Sequence, residues 1–197
     1  MIRISYTGGN DKIGAAVRNV NKMFAHVAFL DAIYNSKNFD MATISPQEIT
    51  DLFCNTDLEL TVDTYWPLQL SSMADAYDDR LNPTVIRLNR LKLNRPVHSI
   101  CNTLVHQCVH ALNACYPSLY FGHGDNDPEG KENTAPFRIA GLAQQIVARD
   151  KKVVQPMLHE ESCNVQATDG NHRQIQEALY HGGIFCIYDM MSILEAN

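Results

Sequence analysis

No stretch of this chain approaches the roughly 18 consecutive apolar residues needed to cross a bilayer, so the sequence offers no membrane-spanning helix. Excess positive charge is missing too. The 16 Lys+Arg stand against 22 Asp+Glu, a formal charge of -6, which leaves no electrostatic footprint for nucleic acid. Basic residues gather locally only at Arg87, Arg90, Lys92 and Arg95. There is no C-x-x-C pair among the six cysteines, Cys54, Cys101, Cys108, Cys115, Cys163 and Cys186. Three of them recur every seven residues, a spacing that suits small buried hydrophobes on a helix better than a disulfide framework. Repeats and low-complexity tracts are absent. Met1 to Asn10 reads as a short apolar strand and a Gly-Gly turn, not as a basic segment followed by an apolar core. The expectation is a protein made in the cytoplasm, or one exported without a conventional signal peptide as an effector or toxin.

What is present suits a single α+β domain over residues 1–197. Hydrophobic residues make up 45% and charged residues 19%, ordinary values for a packed core and too apolar for wholesale disorder. Ile2 to Tyr6 reads as a strand. Ile13, Val17, Val20, Phe24, Val27 and Leu30 to Ile33 follow helical spacing and predict one long helix from about 12 to 35, with His26 at the edge of its apolar stripe. Ser45-Pro46-Gln47-Glu48 has the residues of a capping box with proline at the first helical position. Leu58, Leu60 and Val62 alternate with polar residues, as a half-buried strand does. Residues 67–83 read as a polar loop with one helical turn, the Asp75 to Asp79 run being solvated. Thr84 to Leu93 reads as a strand, and its Arg87, Arg90 and Lys92 suit a sheet edge, where charge discourages unwanted pairing. Pro96 opens a helix from about 97 to 114. Gly122 to Asn133 is loop, Pro136 begins a helix to about Arg149, Val153-Val154 suggests a strand, and His172 to Glu195 suggests two helices broken at Gly182-Gly183.

The chemistry concentrates on the 97–114 helix. Residues four apart lie one above the other on a helix, so His106 and His110 can aim both imidazoles at one metal ion. The pair alone is a modest signal: with 8 His in 197 residues, chance gives roughly 0.3 such pairs per chain. Its setting adds weight, because Thr103, Leu104, Val105, Cys108, Val109, Ala111 and Leu112 are all uncharged, as a core helix requires. Downstream, His123 sits between Gly122 and Gly124, and the glycines permit a tight approach to a metal. Asp125, Asp127 and Glu132 are the rival third ligands. The Gly124 to Asp127 loop lacks the full spacing of a calcium loop.

Together these pieces resemble the zincin metallopeptidases, above all the small SprT-like and other minimal zincins. The strand at 84–93, the His106-Gln107-Cys108-Val109-His110 helix and Gly122-His123-Gly124 carry the resemblance, which covers residues 84 to about 145. It implies a small twisted mixed sheet whose edge strand lies beside the active-site helix, with further helices C-terminal. It also implies Zn2+ held by His106, His110 and His123, and hydrolysis of a protein or peptide substrate. That substrate would pair with the edge strand through Ile86, Leu88 and Arg90. In the H-E-x-x-H motif the glutamate serves as general base on zinc-bound water. Here Gln107 stands in its place, and a carboxamide can hydrogen-bond that water but cannot take its proton. Two origins fit: a Glu-to-Gln substitution that leaves the chain nearly inactive, favoured because the rest of the site is complete, and a natural pseudopeptidase that binds without cutting. A structural zinc site fits less well, since such sites are usually rich in cysteine.

Tyr120, His172, Arg173, Tyr180 and His181 are candidates for stabilising an oxyanion. His98 is expected at the surface and His159 in solvent. Cys108 lies about 200° around the helix from His106, so it is expected to point away from the metal face rather than serve as a nucleophile.

Overall fold

The computed structural model describes residues 1–67, 76–78, 84–124 and 129–149, with 76–78 described by backbone alone. All lie within one compact unit, Met1–Gln155. The expectations for Asp125, Asp127, Val153-Val154, His159 and the 172–195 tail, including His172, Arg173, Tyr180 and His181, fall outside the described residues, as does the reach of one domain to residue 197. Among the described residues are four strands and five α-helices, an α+β arrangement.

In chain order these are β1 (Ile2–Ser5), α1 (Asp11–Phe24), α2 (Val27–Tyr34), α3 (Pro46–Asn55), β2 (Leu58–Tyr65), β3 (Ala76–Asp78), β4 (Val85–Asn89), α4 (Val97–Cys115) and α5 (Ala135–Arg149). The sheet is mixed, in the order β1-β2-β4-β3. β1, β2 and β4 run parallel, with Ile4 beside Leu60 and Val62 beside Ile86. β3 runs antiparallel to β4, with Tyr77 beside Arg87. Ile2 and Ile4, Leu58, Leu60 and Val62, and Ile86 and Leu88 are buried. Arg3, Ser5, Glu59, Thr61 and Asp63 between them are exposed. That period of two puts the core on one face of the sheet, where α1 packs against β1 and α4, and α4 packs against α5.

Local signals account for most of these elements. The Asn10 side chain accepts from the N–H groups of Lys12 and Ile13 and so starts α1. At α3 the capping box forms in full: Ser45 Oγ accepts from the Glu48 N–H, and the Glu48 carboxylate accepts from the Ser45 N–H at 2.7 Å. The long helix expected over 12–35 is instead two, broken where His26 takes an extended conformation at ψ 118. The reason lies in the core. On an unbroken helix Phe24 and Phe29 would point about 140° apart. The break lets both pack with Phe53, at ring separations of 5.7–6.3 Å. It also leaves His26 exposed rather than at the core edge.

The expected edge strand requires a larger correction. β4 is interior, hydrogen-bonded to β2 on one side and β3 on the other, and among the described strands the outermost are β1 and β3. β3 forms within the stretch expected to be loop or a helical turn. Ile86 and Leu88 are 3% and 0% exposed, so their side chains belong to the core and cannot line a substrate groove. The strand also stops short of Leu93. Asn89 accepts from the Leu91 N–H through its side chain, and Arg90–Lys92 form a 3-10 turn. Arg90 leaves the sheet there, donating to Thr64 Oγ1 at 2.8 Å and lying 5.7 Å over the Trp66 ring.

Candidate metal centre

α4 is buried on most of its circumference. Ile100, Cys101, Leu104, Val105, Cys108, Val109 and Leu112 are each 0% exposed. Past its first turn, the partly exposed positions, Asn102, His106, Gln107, His110 and Asn113, form a stripe at helical spacing. His106 and His110 therefore occupy the accessible stripe of a helix otherwise committed to the core.

His123 joins them from the loop after α4 and is itself 5% exposed. The Nε2 atoms of His106 and His110 are 3.1 Å apart, those of His106 and His123 3.1 Å, and those of His110 and His123 2.8 Å. Each neutral imidazole presents either one N–H or one lone pair at that nitrogen. A triangle of three such atoms cannot have a hydrogen bond along every edge. A cation at its centre accepts all three lone pairs at once. Tetrahedral coordination with N–metal bonds of about 2.05 Å would set the nitrogens about 3.3 Å apart, so the rings need spread by only a few tenths of an ångström. The donor set therefore fits a metal ion.

The electrostatics agree with that use. Burial, with the neighbouring His110 and His123 adding to it, pushes His106 from 6.5 down to about 3. Burial and then His123 push His110 down to about 4. Both are neutral near pH 7 and keep the lone pairs that ligation needs. Phe137 of α5 closes one side. Its ring lies 4.7 Å from that of His106 at a 74° angle and 5.0 Å from that of His123 at 43°. Phe137 thus sets an apolar ring beside both imidazoles.

The two glycines beside His123 differ in their settings. A Cβ on Gly122 would lie 3.3 Å from the Tyr120 ring and hydroxyl. Gly124 has φ +75, the left-handed region that other residues rarely adopt. Gln107 is partly buried on the same helix, and its side chain forms no hydrogen bond with any described residue.

Of the other expected residues, Glu132 is exposed, and no described Cys, Asp, Glu or further His joins the three histidines. His98 is half-buried and outside the cluster. Tyr120 is 39% exposed with its hydroxyl over Gly122. Cys108 is fully buried on the opposite side of α4, as its angular position predicts, and burial pushes its thiol pKa far up. Phe137 was not identifiable from the sequence. It sits on another helix, and an aromatic near a helix start carries no mark of what it will touch.

No helix among the described residues is long and apolar enough to cross a membrane. Comparison with family models, with curated proteins and with solved structures finds no match.

Proposed function

We propose that the chain is a zinc-dependent endopeptidase of the zincin type in which glutamine occupies the general-base position. In this form it holds metal and an extended peptide while scarcely turning over. The observation that carries the reading is the convergence of the three Nε2 atoms within 3.1 Å of one another on the accessible stripe of α4. Zinc held there would supply Lewis-acid polarisation of a peptide carbonyl and acidify water.

The chain's own residues set what else can happen. His106, His110 and His123 bind the metal, and Phe137 sets an apolar ring beside two of them. Gln107 can donate or accept a hydrogen bond to the reacting group but cannot remove its proton. Loss of a general base costs about 10²–10⁴-fold in rate. With β4 interior, the strand available to a substrate's backbone is β3, the outermost strand on the side that approaches α4. An extended protein segment pairing there would be read by backbone hydrogen bonds.

Gln107 itself favours a second reading, a natural pseudopeptidase that grips a peptide without cutting it. We infer replacement of a catalytic glutamate, because the three histidines, the apolar ring of Phe137 and the open stripe of α4 would suit hydrolysis once a proton acceptor stood at position 107. Zinc content and proteolysis of this chain and of Gln107→Glu test both. Bound zinc in each, with hydrolysis rising about 10²–10⁴-fold in Gln107→Glu, supports the peptidase. Zinc with no cleavage of any protein or peptide by Gln107→Glu supports the binding module. Loss of zinc from both overturns the metal reading.

A further inference from the structure

The segment that returns His123 to α4 belongs to no helix or strand, yet its backbone is paired on two sides. On one side stands Asn113, on the same helix as two of the histidines. Its side-chain nitrogen donates to the Leu119 carbonyl at 2.9 Å, and its side-chain oxygen accepts from the Phe121 N–H at 3.2 Å. On the other side stands Thr43. Its hydroxyl oxygen accepts from the Tyr120 N–H at 2.9 Å and its hydroxyl also donates to the Tyr120 carbonyl at 3.2 Å, while its backbone N–H donates to that same carbonyl at 2.7 Å. An extended segment presents alternate residues to opposite sides. One carboxamide therefore serves residues 119 and 121, and one threonine serves residue 120, replacing the neighbours a sheet would provide.

The far end of the loop is tied to the same strap of chain. The Asp40 N–H donates to the Asn133 carbonyl at 3.1 Å, and the Asn133 side-chain nitrogen donates to the Asn38 carbonyl at 3.1 Å and to Asp40 at 3.0 Å. Between these ties Met41 adopts φ 61, a left-handed conformation uncommon for methionine, and its Cε lies against Gly124, 3.4 Å from where a Cβ would be.

We propose that Asn113 and Thr43 are positioning residues for the third ligand. They hold residues 119–121 so that His123 is delivered to the His106–His110 pair before the metal arrives. The proposal rests on the metal reading of the three histidines. Without the clamp, ordering the loop would be charged to metal binding and weaken it. Asn113 sits seven residues after His106 and three after His110, so it couples the helical ligands and the loop ligand into one body.

The test is zinc affinity by chelator competition, with Co2+ absorption as a report on the ligand set, for Asn113→Ala, Thr43→Val and each combined with His123→Ala. Thr43 is exposed, and valine keeps its shape, so this variant decides the matter should Asn113→Ala not fold. Each single change is expected to weaken zinc binding about 10–100-fold and to move the Co2+ spectrum toward that of His123→Ala. In the His123→Ala background neither should cost further affinity, since both act through that side chain. Undiminished affinity in the folded single variants, or losses that persist without His123, overturns the proposal while leaving the metal centre standing. A wild-type chain that binds no zinc overturns the metal reading and this proposal with it.

Discussion

His106 and Cys108 stand two residues apart on α4, and both lose solvent when the chain folds, but burial turns them to opposite uses. On the core face it disfavours the thiolate: Cys101 is pushed up to about 12 and Cys108 further still. Neither thiol can act as a nucleophile near neutral pH. On the accessible face the same desolvation disfavours the imidazolium, holding His106 near 3 and His110 near 4. A neutral imidazole is the form that binds a metal. Desolvation thus silences one face and prepares the other, because the charged form is the reactive one for cysteine and the inert one for a histidine ligand.

Breaking the ligand face should have the largest effect on binding and a small one on the fold. His110→Ala is expected to abolish zinc retention after dialysis while changing metal-free stability by no more than about 1 kcal/mol in urea unfolding. Breaking the core face should do the reverse. Leu104→Ala, at a 0% exposed position, is expected to cost about 2–5 kcal/mol while the folded fraction still binds zinc at its original stoichiometry.

Acidification should act on the histidine face and not on the core face. Folded-state values of about 3 and about 4 lie below the ordinary 6.5, so the unfolded chain binds protons more readily. The contribution is complete above about pH 6.5 and is lost as pH falls toward 4 and then 3. Thermal midpoints of the metal-free protein should drop across that window, and the drop should shrink in His106→Ala.

A smaller effect marks the core face: Cys108→Ser places a hydroxyl in an apolar site and is expected to cost about 1–3 kcal/mol with zinc affinity intact. Smallest is a control outside both faces. Ser45→Ala removes the cap of α3 at about 1 kcal/mol and should leave zinc affinity unchanged.

How much of this was legible depends on the range of the physics involved. The capping box at Ser45 and the alternation over Leu58–Val62 appear as read, because their partners are a few residues away. His106 and His110 share a face for the same reason. The split of the first helix was not legible: no Gly or Pro marks Ala25-His26, and the break serves the meeting of Phe24 and Phe29 with Phe53. β3 is three residues of an Asp-rich stretch with no alternation to reveal it. Arg87, Arg90 and Lys92 suggested an edge, but charge on a strand does not report which strand is added beside it.

By itself, then, the sequence determined a helix able to present His106 and His110 together and an apolar remainder that buries the rest of that helix. Only the tertiary structure decided that His123 completes the triangle, that among the described strands β4 is interior and β1 and β3 are outermost, and that Phe137, Asn113 and Thr43 surround the site. Helical spacing and caps are fixed by bonds along a few residues of chain. Thr43 meets Tyr120 across 77 positions and Asn133 meets Asn38 across 95. Such meetings depend on how the helices pack on the sheet, which no local pattern encodes.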